Sequence, residues 1–258
     1  MLPRFSAARQ PGHLSKRKAG GHVRMQLRPP DPELVFQPGV RYRWSSGSEA
    51  VVEVLDGGTL WLATGRLVVV DPFLGPALER FAVPLTVTAP PGRYALSLSV
   101  ARWDRPRDPT TPAPARRVAA AKLTIRNEPV VAWELGLQPG QDPATLQPGQ
   151  FFGFAVDSGT GAFLDASAVA ALHALGTLAP DQDPFQDSEL HRLTPELSSK
   201  HVVNLAVDPA SGLNVVIFRC GMGDGYYPTW VGRTAAGEVA CFLADLEVLS
   251  HGVGPITG

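Results

Sequence analysis

A chain of 258 residues, 44% hydrophobic and 18% charged, has the make-up of an ordinary globular protein long enough to bury a substantial core. No run approaches 18 consecutive apolar residues and no apolar signal core opens the chain, so neither a membrane span nor a secretion signal is expected. The formal net charge of −1 hides an asymmetry: removing Arg4, Arg9, Lys16, Arg17, Lys18 and Arg24 from the 23 basic residues leaves 17 against 24 acids, about −7 for the remainder.

The basic head, residues 1–24, has little apolar content and no period, so it is expected to be disordered. It reads as an extension ahead of a true start at Met25, as a solvated tail, or as an arm for nucleic acid. The acidic body would repel phosphate, so nucleic acid is not the expected partner. Arginine far outnumbers lysine, and with abundant alanine and proline this composition suggests a GC-rich, bacterial genome.

Beyond the head the chain reads as strands punctuated by turns. Val51–Leu55, Thr59–Ala63 and Leu67–Asp71 are short strands, the first two separated by a hairpin turn at Asp56-Gly57-Gly58. Val83, Leu85 and Val87 alternate with polar or proline positions, and Ala89-Pro90-Pro91-Gly92 supplies a turn. Tyr94, Leu96, Leu98 and Val100 then share one face, which predicts a half-buried hairpin. Residues 104–115 form a proline-rich loop, strands follow at 117–125 and 130–135, and the segment 136–150 is the best candidate for a division of the chain. The expected organisation is an N-terminal β subdomain over 25–140 and a C-terminal β-rich subdomain over 150–250.

The second half opens with strands at 151–157 and 162–164. Asp165 stands where a helix cap belongs, before a helix over 166–175 with Gly176 as its stop. A short helix near 188–193, strands at 202–207 and 213–218, and a pair at 227–233 and 238–249 complete the pattern. The sum is a mainly β protein, all-β to α+β, with sandwich-like antiparallel sheets and one or two short helices.

The segment from Phe218 to Gly232 concentrates unusual residues. Gly221, Gly223 and Gly225 bracket Met222 and Asp224, and Tyr226, Tyr227 and Trp230 follow. Gly223, Gly225, Tyr226, Tyr227 and Trp230 form a candidate binding loop, because clustered aromatics offer large contact area at low entropic cost. Against this, at least two of the three aromatics are expected to point inward and anchor the loop on the sheet. Asp71, Asp157, Asp165 and Asp224, with Asp245 as a possible fifth, form a candidate acidic site able to hold a divalent cation or share acid and base roles. The plainer alternative is that Asp157 and Asp224 serve turns and Asp165 caps a helix.

Other chemistry lacks its pattern. The run Asp181–Asp187 opens like a calcium loop, but Gln186 replaces the turn glycine and Arg192 the bidentate glutamate. His173, His191 and His201 have no zinc spacing, and no serine elbow or dinucleotide fingerprint is present. Cys220 and Cys241 belong to no CxxC pair and read as reduced, packed thiols in a cytoplasmic protein.

Several motifs recur in one order: Gly65–Pro72, Pro90–Tyr94, Arg117–Ile125 followed by Trp133–Leu135, Phe152–Gly161 through Asp165, and Gly223–Pro228 with Gly232 and Val239–Leu249. Together they resemble the bacterial domain-of-unknown-function family numbered 4241, over roughly residues 60–249. Met222 stands where members often carry a larger aromatic, and Trp230-Val231 where they carry Tyr-Trp. The resemblance implies a small bacterial cytosolic protein and brings no established activity, cofactor or catalytic residue. The reading that follows is a non-enzymatic binding or interaction module using the Gly221–Trp230 face, with a protein as partner and no cofactor. The alternative is a metal-assisted hydrolase built on the four aspartates, so whether the chain is an enzyme stays open.

Overall fold

A computed structural model describes residues 12–13, 31–104, 115–177 and 188–250. The expectations for the basic head, the proline-rich loop and the Asp181–Asp187 run fall almost wholly outside the described residues.

Among the described residues, twelve strands of three or more residues build two antiparallel sheets: β1 (Arg41–Arg43), β2 (Glu49–Leu62), β3 (Leu67–Val70), β4 (Gly92–Trp103), β5 (Ala115–Thr124), β6 (Ala132–Leu135), β7 (Gly153–Val156), β8 (Thr160–Asp165), β9 (Val202–Asp208), β10 (Leu213–Arg219), β11 (Gly225–Arg233) and β12 (Val239–Asp245). The large sheet runs β1-β2-β4-β5-β12-β11-β6, with β7 pairing the first half of β11. The small sheet runs β9-β10-β8-β3. Both sheets draw strands from either side of the 136–150 segment.

Period-two alternation places the layers. Leu67 and Val69 of β3, Phe163 of β8 and Val216 and Phe218 of β10 meet Leu96, Leu98, Val100, Leu123 and Phe242 of the large sheet in one buried core. The intervening residues Val68, Val70, Ala162, Leu164, Val215 and Ile217 point the other way, into a second core closed by short helices through Leu78, Leu172, Leu190 and Leu197. A sheet covered on both faces needs unbroken apolar strands, which is why Leu67–Val70 and Val215–Phe218 show no polar alternation. A third cluster covers the outer face of the large sheet, where Val35, Trp103, Trp230, Leu243, Val248 and Leu249 pack together. The fold is the expected mainly β sandwich, with helices as a third layer.

Two local expectations are corrected. Asp56-Gly57-Gly58 is not a hairpin turn: β2 passes through it unbroken, and the register against β4 slips between Asp56 and Gly58. The feature is a β-bulge, with Gly58 at φ +80° and its N–H donating to the Asp56 carboxylate at 2.8 Å. The side chains of Asn204 and Asn214 then donate to the Thr59 carbonyl at 3.0 and 2.7 Å, tying the bulged strand to the small sheet. Likewise, residues 83–89 are not a hairpin arm. Pro84, Pro90 and Pro91 cannot donate to a ladder, and the segment makes scattered bonds instead, from Leu85 N to the Leu67 carbonyl and from Ala89 N to the Gly65 carbonyl.

Candidate functional site

The glycine loop leaves β10 at Arg219 and enters β11 at Gly225, and the fold grips it from several sides. Cys220 N donates to the Gly159 carbonyl at 2.8 Å, and Gly223 N closes a turn onto the Cys220 carbonyl at 2.9 Å. The Tyr227 hydroxyl donates to the Gly223 carbonyl at 2.8 Å, and Arg117 of β5 donates to the Gly221 carbonyl at 3.0 Å. A side chain at Gly221 would lie 2.2 Å from the Val118 carbonyl oxygen, so only glycine lets the loop lie this close to β5. What remains outside is Met222, 46% exposed, with Asp224 and Gly225.

The aromatics divide. Tyr227 and Trp230 are buried, at 2% and 5% exposure, in the inter-sheet core and the outer cluster respectively. Tyr226 is half-buried, stacked on Phe151 at 5.8 Å, with its hydroxyl accepting from Gly153 N at 3.1 Å. Of the loop residues singled out in the sequence, Asp224 and Gly225 stay exposed, Gly223 is half-buried, and two of the three aromatics anchor the loop from inside.

The four aspartates do not form one site. Asp71, fully buried just past β3, accepts from Phe73 N at 2.9 Å, from Asp157 N and Ser158 N at 2.8 Å, and from the Ser158 hydroxyl at 2.7 Å. Burial pushes its carboxyl upward, and these hydrogen bonds oppose the push. Asp165, also fully buried, accepts from Thr64 N and its hydroxyl and from Ser167 N and its hydroxyl, at 2.6–3.0 Å. It caps the turn Ala166–Ala168 that leads into the helix Val169–Gly176. Asp165 faces Leu67 across the β3–β8 pair while Asp71 follows Val70. The two therefore sit at opposite ends of β3, about 13 Å apart at the strand rise. Asp157 and Asp224 are exposed, and the loops that carry them meet where Gly159 would place a Cβ 4.0 Å from an Asp224 oxygen. Asp71, Asp157 and Asp224 thus share one end of the sandwich, and Asp165 belongs to the other. Among the described residues no group of three or more His, Cys, Asp or Glu side chains is placed to hold a metal ion.

The buried thiols are not activated. Burial, reinforced by Asp71, raises the Cys220 thiol well above its ordinary value, and burial pushes Cys241 up to about 11 against the pull of Lys122. Near the same end, at the close of β12, lie Asp245 and Glu247. Burial takes the Asp245 carboxyl up to about 6, and burial together with the Asp245 charge takes Glu247 up to about 7. Sequence reasoning passed over Ser158, Thr160 and Arg117 at this end. Ser158 and Thr160 belong to a turn motif that was legible, but nothing in the sequence links Arg117 to a loop 104 residues away.

A family model described as a protein of unknown function (DUF4241) matches residues 60–244, more than half of the chain. Neither a curated protein nor a solved structure matches it.

Proposed function

This chain belongs to the DUF4241 family of proteins of unknown function, and we propose that it is a non-enzymatic binding or interaction module whose contact face is the Gly221–Trp230 loop. The observation that carries this reading is an exposed methionine, Met222, at the tip of a loop held by Tyr227, Arg117 and Cys220. A pre-shaped loop loses little entropy on binding, and a flexible thioether adapts to a partner's apolar surface. The partner is a protein, and Asp224 beside Met222 gives the contact a charge that sets its orientation.

The test places a photo-crosslinking side chain at position 222 of the full chain and, as control, at the 63% exposed Val131, just ahead of β6, whose N–H bonds to the Arg233 carbonyl at the opposite end of β11 from the glycine loop. A discrete adduct that forms in cells from position 222 alone, and that Asp224→Arg abolishes, is the expected result. Equal adducts from both positions, or none from 222, would refute the module reading. The hydrolase reading is not favoured by any single observation, because Asp165 is committed to its cap and Asp71 to four donors.

A further inference from the structure

Strand β12 ends in a carboxylate that the fold leaves poorly compensated. Asp245 lies on the outer face of the large sheet, opposite Ala120 and only 6% exposed. Among the described residues its one hydrogen bond comes from Glu247 N, at 2.9 Å. Asp71, fully buried, has four. Neither Asp245 nor Glu247 has an ion-pair partner among the described residues. Glu247 in turn occupies the left-handed region at φ +56°, one of two non-glycine residues to do so among those described. A strained backbone and two neighbouring carboxyls, one buried and one half-buried, are therefore joined by a single hydrogen bond.

That turn fastens two things. Leu246 N donates to the Ala119 carbonyl at 2.9 Å, Leu246 enters the inter-sheet core, and Val248 and Leu249 enter the outer cluster. Val248 also backs the glycine loop, because a Cβ on Gly221 would lie 2.5 Å from its methyl group. The charged and titratable groups around the pair are few. From β5 come Lys122, on the face of Asp245 but set over the Phe36 ring at 4.4 Å, and Arg117, bonded to Gly221. From β11 comes the Tyr227 phenol, which feels Glu247, Cys220 and Asp224 and is pushed upward chiefly by burial.

We propose that the turn Asp245–Leu249 is a proton-operated latch. While the Asp245–Glu247 pair retains a proton, the turn holds Val248 and the glycine loop against β5. When both carboxyls are ionised, their repulsion opens the turn and frees the loop. Both carboxyls are displaced toward neutrality, which puts the transition in the range where cellular pH varies. That the latch gates a contact face rests on the module reading, whereas the latch itself does not.

Amide hydrogen exchange of the full chain, corrected for intrinsic rates, tests it at about pH 5 and about pH 8.5. Roughly tenfold loss of protection is expected at 220–227 and 246–249 at the higher pH, beyond the smaller loss that the fall in global stability brings to the centre of the small sheet. Glu247→Gln and Asp245→Asn should each keep at the higher pH the protection that the natural chain has at the lower. Should Asp245→Asn not fold, Glu247→Gln at its partly exposed site decides alone. Equal protection at both pH values, loss spread evenly over both sheets, or loss that persists in the variants would overturn the latch. The readout is backbone opening, so a failed crosslink at position 222 and a failed latch are distinguishable.

Discussion

At the scale of single residues, the aspartates show how one side chain serves different ends. Asp71 accepts three backbone N–H groups and a hydroxyl, joining the end of β3 to the Asp157–Ser158 turn. An asparagine there offers one acceptor oxygen and turns its amide toward donors. Asp71→Asn should cost about 3 kcal/mol in urea unfolding, because hydrogen bonds to a charged acceptor are lost and buried donors are left unmet. Asp157→Asn and Asp224→Asn, at exposed sites, should each change stability by less than about 0.5 kcal/mol. The same preparations answer the metal question. Calcium, magnesium, manganese or zinc should leave the unfolding midpoint of the natural chain unchanged, and a shift of several degrees that Asp224→Asn abolishes would restore the hydrolase. Turn roles for Asp157 and Asp224 and a cap role for Asp165 were legible in the sequence, since a Ser-Gly-Thr-Gly run, two flanking glycines and a helix start lie next to them. Their burial was not, because it depends on which strands lie above them.

At the scale of elements, β2 is the instructive case. Asp56-Gly57-Gly58 between two apolar runs carries a strong hairpin signal. The same residues also satisfy a bulge, which needs one left-handed glycine and an acceptor two residues earlier. Local chemistry cannot choose between them. The choice belongs to β4, eleven of whose twelve residues pair with the two halves of β2. Gly58→Ala forces a side chain into φ +80° and to 2.7 Å from the Asn204 amide, and should destabilise by about 1–2 kcal/mol in urea unfolding. A neutral result would mean that the bulge relaxes freely and is not a fixed feature of the strand. The proline-containing run 83–89 teaches the converse lesson. Its alternation was real, yet Pro84 has no N–H and those of Leu85, Thr86 and Ala89 bond to Leu67, Leu137 and Gly65 in turn, so the pattern completed no ladder with one neighbour.

At the scale of the whole molecule, the Asp245–Glu247 pair couples stability to pH. Both carboxyls have folded values above their unfolded ones, so the native state holds protons more tightly than the unfolded chain. Their contribution is complete below about pH 4 and is lost as pH rises through about 6 and 7. Relative to the natural chain, Glu247→Gln should therefore gain stability as pH rises over that window. The gain is about 1 kcal/mol once solvent screening of a partly exposed group is allowed for. A constant difference between the two proteins from pH 4 to 8 would show that the pair does not titrate with folding. Alternation, turn residues and unbroken apolar runs determined by themselves that the chain is mainly β, where most strands lie, and that Asp165 begins a helix, because those signals act within a few residues. Which strands pair, that the small sheet is covered on both faces, that Tyr227 and Trp230 turn inward, and that Arg117 reaches the glycine loop were decided only in the tertiary structure. Each depends on contacts between segments far apart in the chain, and no local spacing encodes them.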